Sequence, residues 1–222
     1  MEKMFPIICQ NNDMINLELK QYIENTILPQ YDTFDKGHNC DHIHHVISES
    51  LLLARGYNVN KNMIYAIAAY HDIGIPLGRK EHHIFSGKIL NDDKQLRKWF
   101  SENEMITMQQ AIEDHRASAK NPPRSIYGCI VAEADRDIST ETILRRTIQF
   151  GIKNYPKEPF PFHLQRATTH LKEKYGNGGY LKLYLHSSKN EQGLAKLRTL
   201  IANEKELEQQ LHTIFDKETG VQ

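Results

Sequence analysis

Met63-Ile64-Tyr65-Ala66-Ile67-Ala68-Ala69-Tyr70-His71-Asp72-Ile73-Gly74 is an apolar run that ends in a histidine and an aspartate side by side, just before Pro76. Ile64, Ile67 and His71 recur at helical spacing and share one face, so the imidazole continues a buried stripe instead of turning to water. Asp72 lies about 100° further round a helix of 3.6 residues per turn, near enough for both side chains to converge on one ion. Gly74 and Pro76 end the helix. A carboxylate turned inward beside an inward imidazole is costly to bury unless positive charge lies between them, and a metal is the obvious candidate.

The segments on either side repeat the pattern. Asp41 is the expected N-cap of a helix reaching Ala54 or Arg55, with His42 at its opening and Ile43, Val46, Ile47, Leu51 and Ala54 on its inner face; Gly56 closes it. After the connector 74–80, a short helix over about 81–90 sets His82, Phe85, Ser86 and Ile89 at i, i+3, i+4 and i+7, which turns His82 inward and leaves His83 nearer the edge. Residues 92–100 and 103–116 read as two further helices, the second carrying Met105, Met108, Ile112 and His115 on one face. The loop 117–124 contains Pro122-Pro123, and Pro123 is expected to open a helix whose inner face is Tyr127, Val131, Ala134 and Ile138. Asp135 stands beside Ala134, an acid where an aliphatic side chain would pack.

Toward the N-terminus, residues 13–31 carry Ile15, Leu19, Tyr22, Ile23 and Ile27 at helical period and stop at Pro29; a loop containing Gly37 follows. Toward the C-terminus, 140–153, 161–175 and 190–216 are helical by pattern, with a turn at Gly176-Asn177-Gly178-Gly179. That turn lacks the lysine and the serine or threonine of a phosphate-binding loop. No alternating strand pattern and no internal repeat persists, so the chain reads as all-α. We expect one domain over 1–222, with an appendage at about 141–222 where the histidine pattern stops. The charged C-terminal helix offers a face for a homodimer, although an intramolecular packing face explains the same pattern.

With 28 basic and 28 acidic residues the charge is balanced, which argues against a nucleic-acid polymer or an anionic membrane surface as partner. Residues 1–10 lack a basic n-region followed by a long apolar stretch, and no apolar run approaches the roughly 18 residues of a membrane span. Cys9, Cys40 and Cys129 form neither a CxxC pair nor a disulfide framework, which points to a reducing, cytoplasmic setting. Cys40 reads as a small buried residue.

Twelve histidines are unusual, and eight of them fall between His38 and His115. The polar residues on inner faces are His42, His71, Asp72, His82, His115 and Asp135. Imidazole and carboxylate without thiolate suit Mn, Fe, Co, Ni, Zn or Mg rather than a cysteine-type structural zinc. Six such groups exceed one closed tetrahedral site and are enough for two ions sharing Asp72. Each histidine alone is more often a core or surface side chain. His38, His44, His45, His83, His163, His170, His186 and His212 stay in that class, with His38, four before His42, the first of them to consider as a neighbour that supports a ligand.

The order His42, His71-Asp72, Asp135, with the strings His42-Ile43-His44-His45-Val46, His71-Asp72-Ile73-Gly74 and Ala134-Asp135-Arg136, resembles the HD-domain superfamily of metal-dependent phosphohydrolases over roughly residues 36–140. His82 and His115 are similar to two additional histidines of HD subgroups that hold two metals. The resemblance implies an HD-type helical bundle with additional C-terminal helices. In it His42, His71, Asp72 and Asp135 hold the first ion, Asp72 bridges, and His82 and His115 hold the second. Asp72, His82 and His115 become the catalytic candidates. His45 departs from the pattern, since many members carry an arginine there.

The activity so implied is hydrolysis of a small phosphate ester, a nucleotide or related phosphomonoester or diester, by metal-activated water. Arg79, Lys80, Arg116, Lys120, Arg124 and Arg136 are candidate phosphate anchors by their nearness in sequence to the ligands. Glu81 and Asp114 are weaker candidates for proton transfer, because charged residues flanking inward histidines usually face water. The same ligands serve two other functions, a di-iron oxygenase and a non-catalytic module that binds a nucleotide or metal as a signal.

Overall fold

Ten α-helices and no strand make up the described residues, 14–34, 38–186 and 188–220, of this computed structural model. The expectations placed on residues 1–10, Cys9, Asp13, Gly37 and the start of the 36–140 core lie outside the described residues. The chain divides into two compact units, one of residues 1–116 and 121–135, the other of residues 117–120 and 136–222.

In the first unit the helices are α1 (Leu17–Tyr22), α2 (Cys40–Ala54), α3 (Lys61–Tyr70), α4 (His82–Asp92), α5 (Glu102–Glu113) and α6 (Ile126–Ala134). Every residue from Met63 to Tyr70 is buried, so α3 is not a one-sided helix but the centre of the unit. Its alanines, Ala66, Ala68 and Ala69, leave room for α2, α5 and α6 to pack against it. This is why the apolar run has no polar face: a helix surrounded by others is apolar all round.

Several boundaries move from the expected places, each for a local reason. The N-cap of α2 is Asn39, two residues before Asp41, and its side-chain oxygen accepts from the His42 amide. α3 ends at Tyr70, with His71 as its C-cap and Asp72 in the turn beyond. His115 likewise lies past the end of α5, and α6 starts at Ile126 behind a Ser125 cap instead of at Pro123. The expected helix over 92–100 is only a 3-10 segment, Lys94–Lys98, capped by Asp93. Pro29 does not stop the first helical segment, which passes through a π-turn, Ile23–Ile27, into a 3-10 helix, Leu28–Thr33. Proline stands in the first turn of that new element, where no amide is required.

That 3-10 helix anchors the central one. Tyr31 is fully buried and its hydroxyl donates to the Ala69 carbonyl at 2.8 Å, two residues before His71. Tyr31→Phe is expected to lower stability by about 1 kcal/mol. For a chain of this size that is roughly 2–4 °C in Tm. Thermal unfolding measures it, and an unchanged Tm would show that the bond contributes nothing.

The second unit contains α7 (Thr140–Asn154), α8 (Phe160–Tyr175), α9 (Lys189–Ala202) and α10 (Glu204–Thr219). They bury Ile148, Ala167, Leu171, Leu197, Leu207 and Leu211 in a core of their own. The expected continuous helix over 190–216 is broken at Asn203, which ends α9 and caps α10 by accepting from the Glu206 amide. Among the described residues no helix is long and apolar enough to cross a membrane.

Candidate metal centre

Five chain segments deliver ligand-type atoms to one place in the first unit. α2 supplies His42 from its first turn, and the turn after α3 supplies His71 and Asp72. His82 comes from the first residue of α4, His115 from just beyond α5, and Asp135 from the C-cap of α6. All but one of these residues sit at a helix end. There the side chain is not committed to a ridge, and the local main chain can turn it inward.

Asp72 is the centre of the arrangement. Its Oδ2 faces His71 Nε2 at 3.3 Å and His42 Nε2 at 3.8 Å. Its Oδ1 faces His82 Nε2 at 3.1 Å and His115 Nε2 at 3.5 Å. Asp135 Oδ1 closes the first side, 3.3 Å from His42 Nε2 and 3.7 Å from His71 Nε2. One carboxylate thus serves two clusters, His42–His71–Asp72 and Asp72–His82–His115, each with the spacing of a metal site.

The donors fit a divalent cation on three counts. Nitrogen and oxygen ligands about 2.0–2.2 Å from one ion lie roughly 3.0–3.5 Å from one another, and the contacts here run from 3.1 to 3.8 Å. The ring orientations agree: Nδ1 of His71, His82 and His115 contacts the carbonyls of Ala68, Arg79 and Ile112 at 2.8, 2.8 and 2.6 Å. With the proton on Nδ1, each Nε2 keeps its lone pair for the centre. Two such lone pairs, His82 Nε2 and His115 Nε2, then stand 3.1 Å apart, an arrangement that repels without a cation between them. Finally, Nε2 of His42 and of His71 are buried without a hydrogen-bond partner, as ligands without their ion would be.

The electrostatics point the same way. Burial by itself would lower the His71 pKa, but the carboxylates of Asp72 and Asp135 outweigh it and hold that imidazole well above its usual value. Burial would raise the Asp72 carboxyl, yet the facing imidazoles, His71 foremost, keep it well below the carboxylate range. Asp135 is lowered as well, its burial outweighed by the facing imidazoles of His42 and His71. In the metal-free protein the cluster therefore stabilises positive charge among fixed carboxylates, the charge a cation would supply.

Access is uneven. The side chains of His71 and His115 are 0% and 2% exposed, whereas His42 and Asp135 retain 21% and 27%. Solvent reaches the centre over His42 and Asp135.

The basic residues are distributed differently from the ligands. Arg79 and Lys80 are exposed on the connector entering α4, and an Arg79 guanidinium nitrogen lies 3.4 Å from His38 Nε2. The His38 ring stands edge-on to His42 at 5.9 Å. Arg124 is engaged with Asp114 and Glu113 at 2.9 and 2.6 Å, and Asp114 holds its guanidinium pKa above the usual value. The Arg116 guanidinium donates to the Lys80 carbonyl. Lys120 and Arg136 belong to the second unit, where Arg136 lies over the Tyr184 ring at 5.5 Å. Glu81 is exposed, and Asp114 is taken by Arg124. Burial, and next the charge of Arg116, push the pKa of His83, beside His82, down to about 4.

Sequence patterning missed the residues that shape the site without entering it. Asn39 caps the helix that begins at His42, and Ser86 Oγ accepts from the Gly74 amide at 2.9 Å. An asparagine or serine before an apolar run is a usable cap signal, and Asn39 could have been found that way. A serine inside a helix that receives another segment's amide leaves no such signal.

His82→Ala and His115→Ala are each expected to reduce bound metal, because each removes a ligand on the Asp72 Oδ1 side alone. Elemental analysis after desalting reads this directly. Equal metal content in variant and parent would rule out a second ion.

Residues 40–138 match the family model described as the HD domain. The match contains all six converging residues, from His42 to Asp135. Neither the curated proteins nor the solved structures contain a match to the chain.

Proposed function

We propose that the chain, whose residues 40–138 match the HD-domain model, is a metal-dependent phosphohydrolase acting on a small phosphate ester, a nucleotide or a related phosphomonoester or diester. The observation that carries this reading is the division of Asp72 between two imidazole pairs, one on each carboxylate oxygen. It supports two ions side by side, His42, His71 and Asp135 holding one and His82 and His115 the other. When bound, divalent ions lower the pKa of a coordinated water to about 7 and neutralise charge on a phosphoryl oxygen.

The chain's own residues supply the rest. Asp72 fixes the separation of the two ligand sets, and the buried pair His71 and His115 keeps the floor of the site dry. The partly exposed His42 and Asp135 border the approach through which an ester would enter. Arg79 and Lys80, exposed beside the main chain that orients His82, supply positive charge for the phosphate. Arg124 already faces two carboxylates and is a weaker candidate for that task.

The test is metal content of the purified protein, then phosphate release from nucleoside mono-, di- and triphosphates and cyclic nucleotides with that metal restored. Near two ions with phosphate release is the expected result. Two irons with oxygen uptake and no phosphate would overturn the reading in favour of an oxygenase, and no retained metal after reconstitution would overturn it outright.

A further inference from the structure

The His82 and His115 side of the centre has a feature the other side lacks. His42, His71 and Asp135 are set by three helices that pack on one another, α2, α3 and α6. His82 and His115 stand instead at opposite ends of their own helices, the first residue of α4 and two residues past α5. The two helices approach closely at Gly87, where a Cβ would lie 3.1 Å from the Gln109 carbonyl oxygen and 3.1 Å from Glu113 Cγ. That contact fixes the helices beside each other without fixing the chain outside them. The carbonyls that orient the two rings are Arg79 on one side and Ile112 on the other. Arg79 lies in the connector, where no helix holds it in register.

One side chain joins the two segments. Arg116, next to His115, donates through its guanidinium to the carbonyl of Lys80, next to Arg79. We infer that Arg116 is a positioning residue that straps the connector to the end of α5 and so fixes the separation of His82 and His115 for the second ion. It holds the peptide unit beside the carbonyl that aims His82. A carbonyl partner suits this task, since it takes the guanidinium without drawing Asp72 or Asp135 away from the imidazoles. The strap also differs from the role the sequence suggests for Arg116, that of a phosphate anchor.

The inference rests on the two-ion reading, and its test separates the two. Manganese is titrated into the metal-free protein, with stoichiometry read by elemental analysis and the exchange-coupled signal of a manganese pair read by electron paramagnetic resonance. A parent that takes up fewer than two ions overturns the two-ion reading and the strap with it. Given a parent with two, Arg116→Ala is expected to retain the first ion and bind the second about 10–100-fold more weakly, the usual effect of losing a group that orients a ligand. Its spectrum becomes mononuclear at manganese concentrations that saturate the parent pair. Arg116→Lys, which keeps a donor, is expected to fall between the two.

Full pair formation in Arg116→Ala with only a raised KM for a phosphate ester would overturn the strap and return Arg116 to the phosphate. Equal weakening of both ions would overturn it as well, since general loosening of the unit would account for that. Unfolding of the metal-free proteins provides the control, with Arg116→Ala expected to match its parent.

Discussion

Asp72→Asn is expected to remove both ions and reduce turnover to the level of the metal-free protein. Asparagine preserves the shape of the aspartate but offers one carbonyl oxygen in place of two charged ones, and its amide nitrogen is a donor. Whichever way the amide turns, one imidazole pair is left beside an N–H where a cation held between them would need an oxygen. If the oxygen faces His42 and His71, then His82 and His115 lose theirs, and the reverse holds after a flip. The charge matters equally, because Asp72 is 4% exposed and is the one carboxylate common to both sides. A metal lowers the pKa of water from about 15.7 to about 7, so losing the ions removes a factor of at least about 10³ in rate at neutral pH. Elemental analysis and phosphate release measure both effects. Retention of two ions would show that Asp72 does not bridge.

Gly74→Ala is the second large effect, and it acts through space instead of charge. An added Cβ would lie 2.6 Å from the His82 carbonyl oxygen, 2.6 Å from the Ser86 amide nitrogen and 2.7 Å from Phe85 Cβ. The first two are main-chain atoms of α4, so no side chain can swing aside to relieve the contact. The Gly74 φ is −82°, which any residue adopts, so closeness alone selects glycine. The turn carrying Asp72 must separate from the start of α4, weakening the 2.9 Å bond from the Gly74 amide to Ser86 Oγ. Such overpacking costs typically about 1–3 kcal/mol. At roughly 2–4 °C per kcal/mol for a chain of this size, Tm should fall by about 2–12 °C. Because His82 moves with α4, the second ion should weaken while the first remains. A variant with parental Tm would show that the turn and α4 accommodate a methyl group between them.

The ligand set was more legible than the geometry that organises it. His71-Asp72 stood out because two polar side chains closing an apolar run contradict the run's own logic, and the same contradiction marked His115 and Asp135. Helix class followed from periodicity in α2 and α5, whose apolar faces repeat cleanly. Less readable was anything that depends on a helix end. His71, Asp72, His115 and Asp135 all lie at or beyond termini that patterning placed later, because a periodic stripe carries no mark where its hydrogen bonding stops. The complete burial of α3 was hidden for a related reason: alanine-rich stretches such as Ala66 to Ala69 have little contrast between faces. The partners of Arg116 and Arg124 were beyond reach, since a guanidinium near a ligand in sequence can face a phosphate, a carboxylate or a carbonyl with equal ease.

Three of the four histidines in the centre take their orientation from main-chain oxygens, at Ala68, Arg79 and Ile112. Any residue brings the same carbonyl, so the ring orientation itself places no demand on side-chain identity; packing restricts the buried Ala68 and Ile112, whereas it leaves the exposed Arg79 free to drift. What inheritance must preserve is the interval from acceptor to ring, always three positions here. Insertions, deletions and prolines that disturb this interval should be tolerated far less than point replacements within it. A comparison of descendants of this chain would show constant spacing around variable letters.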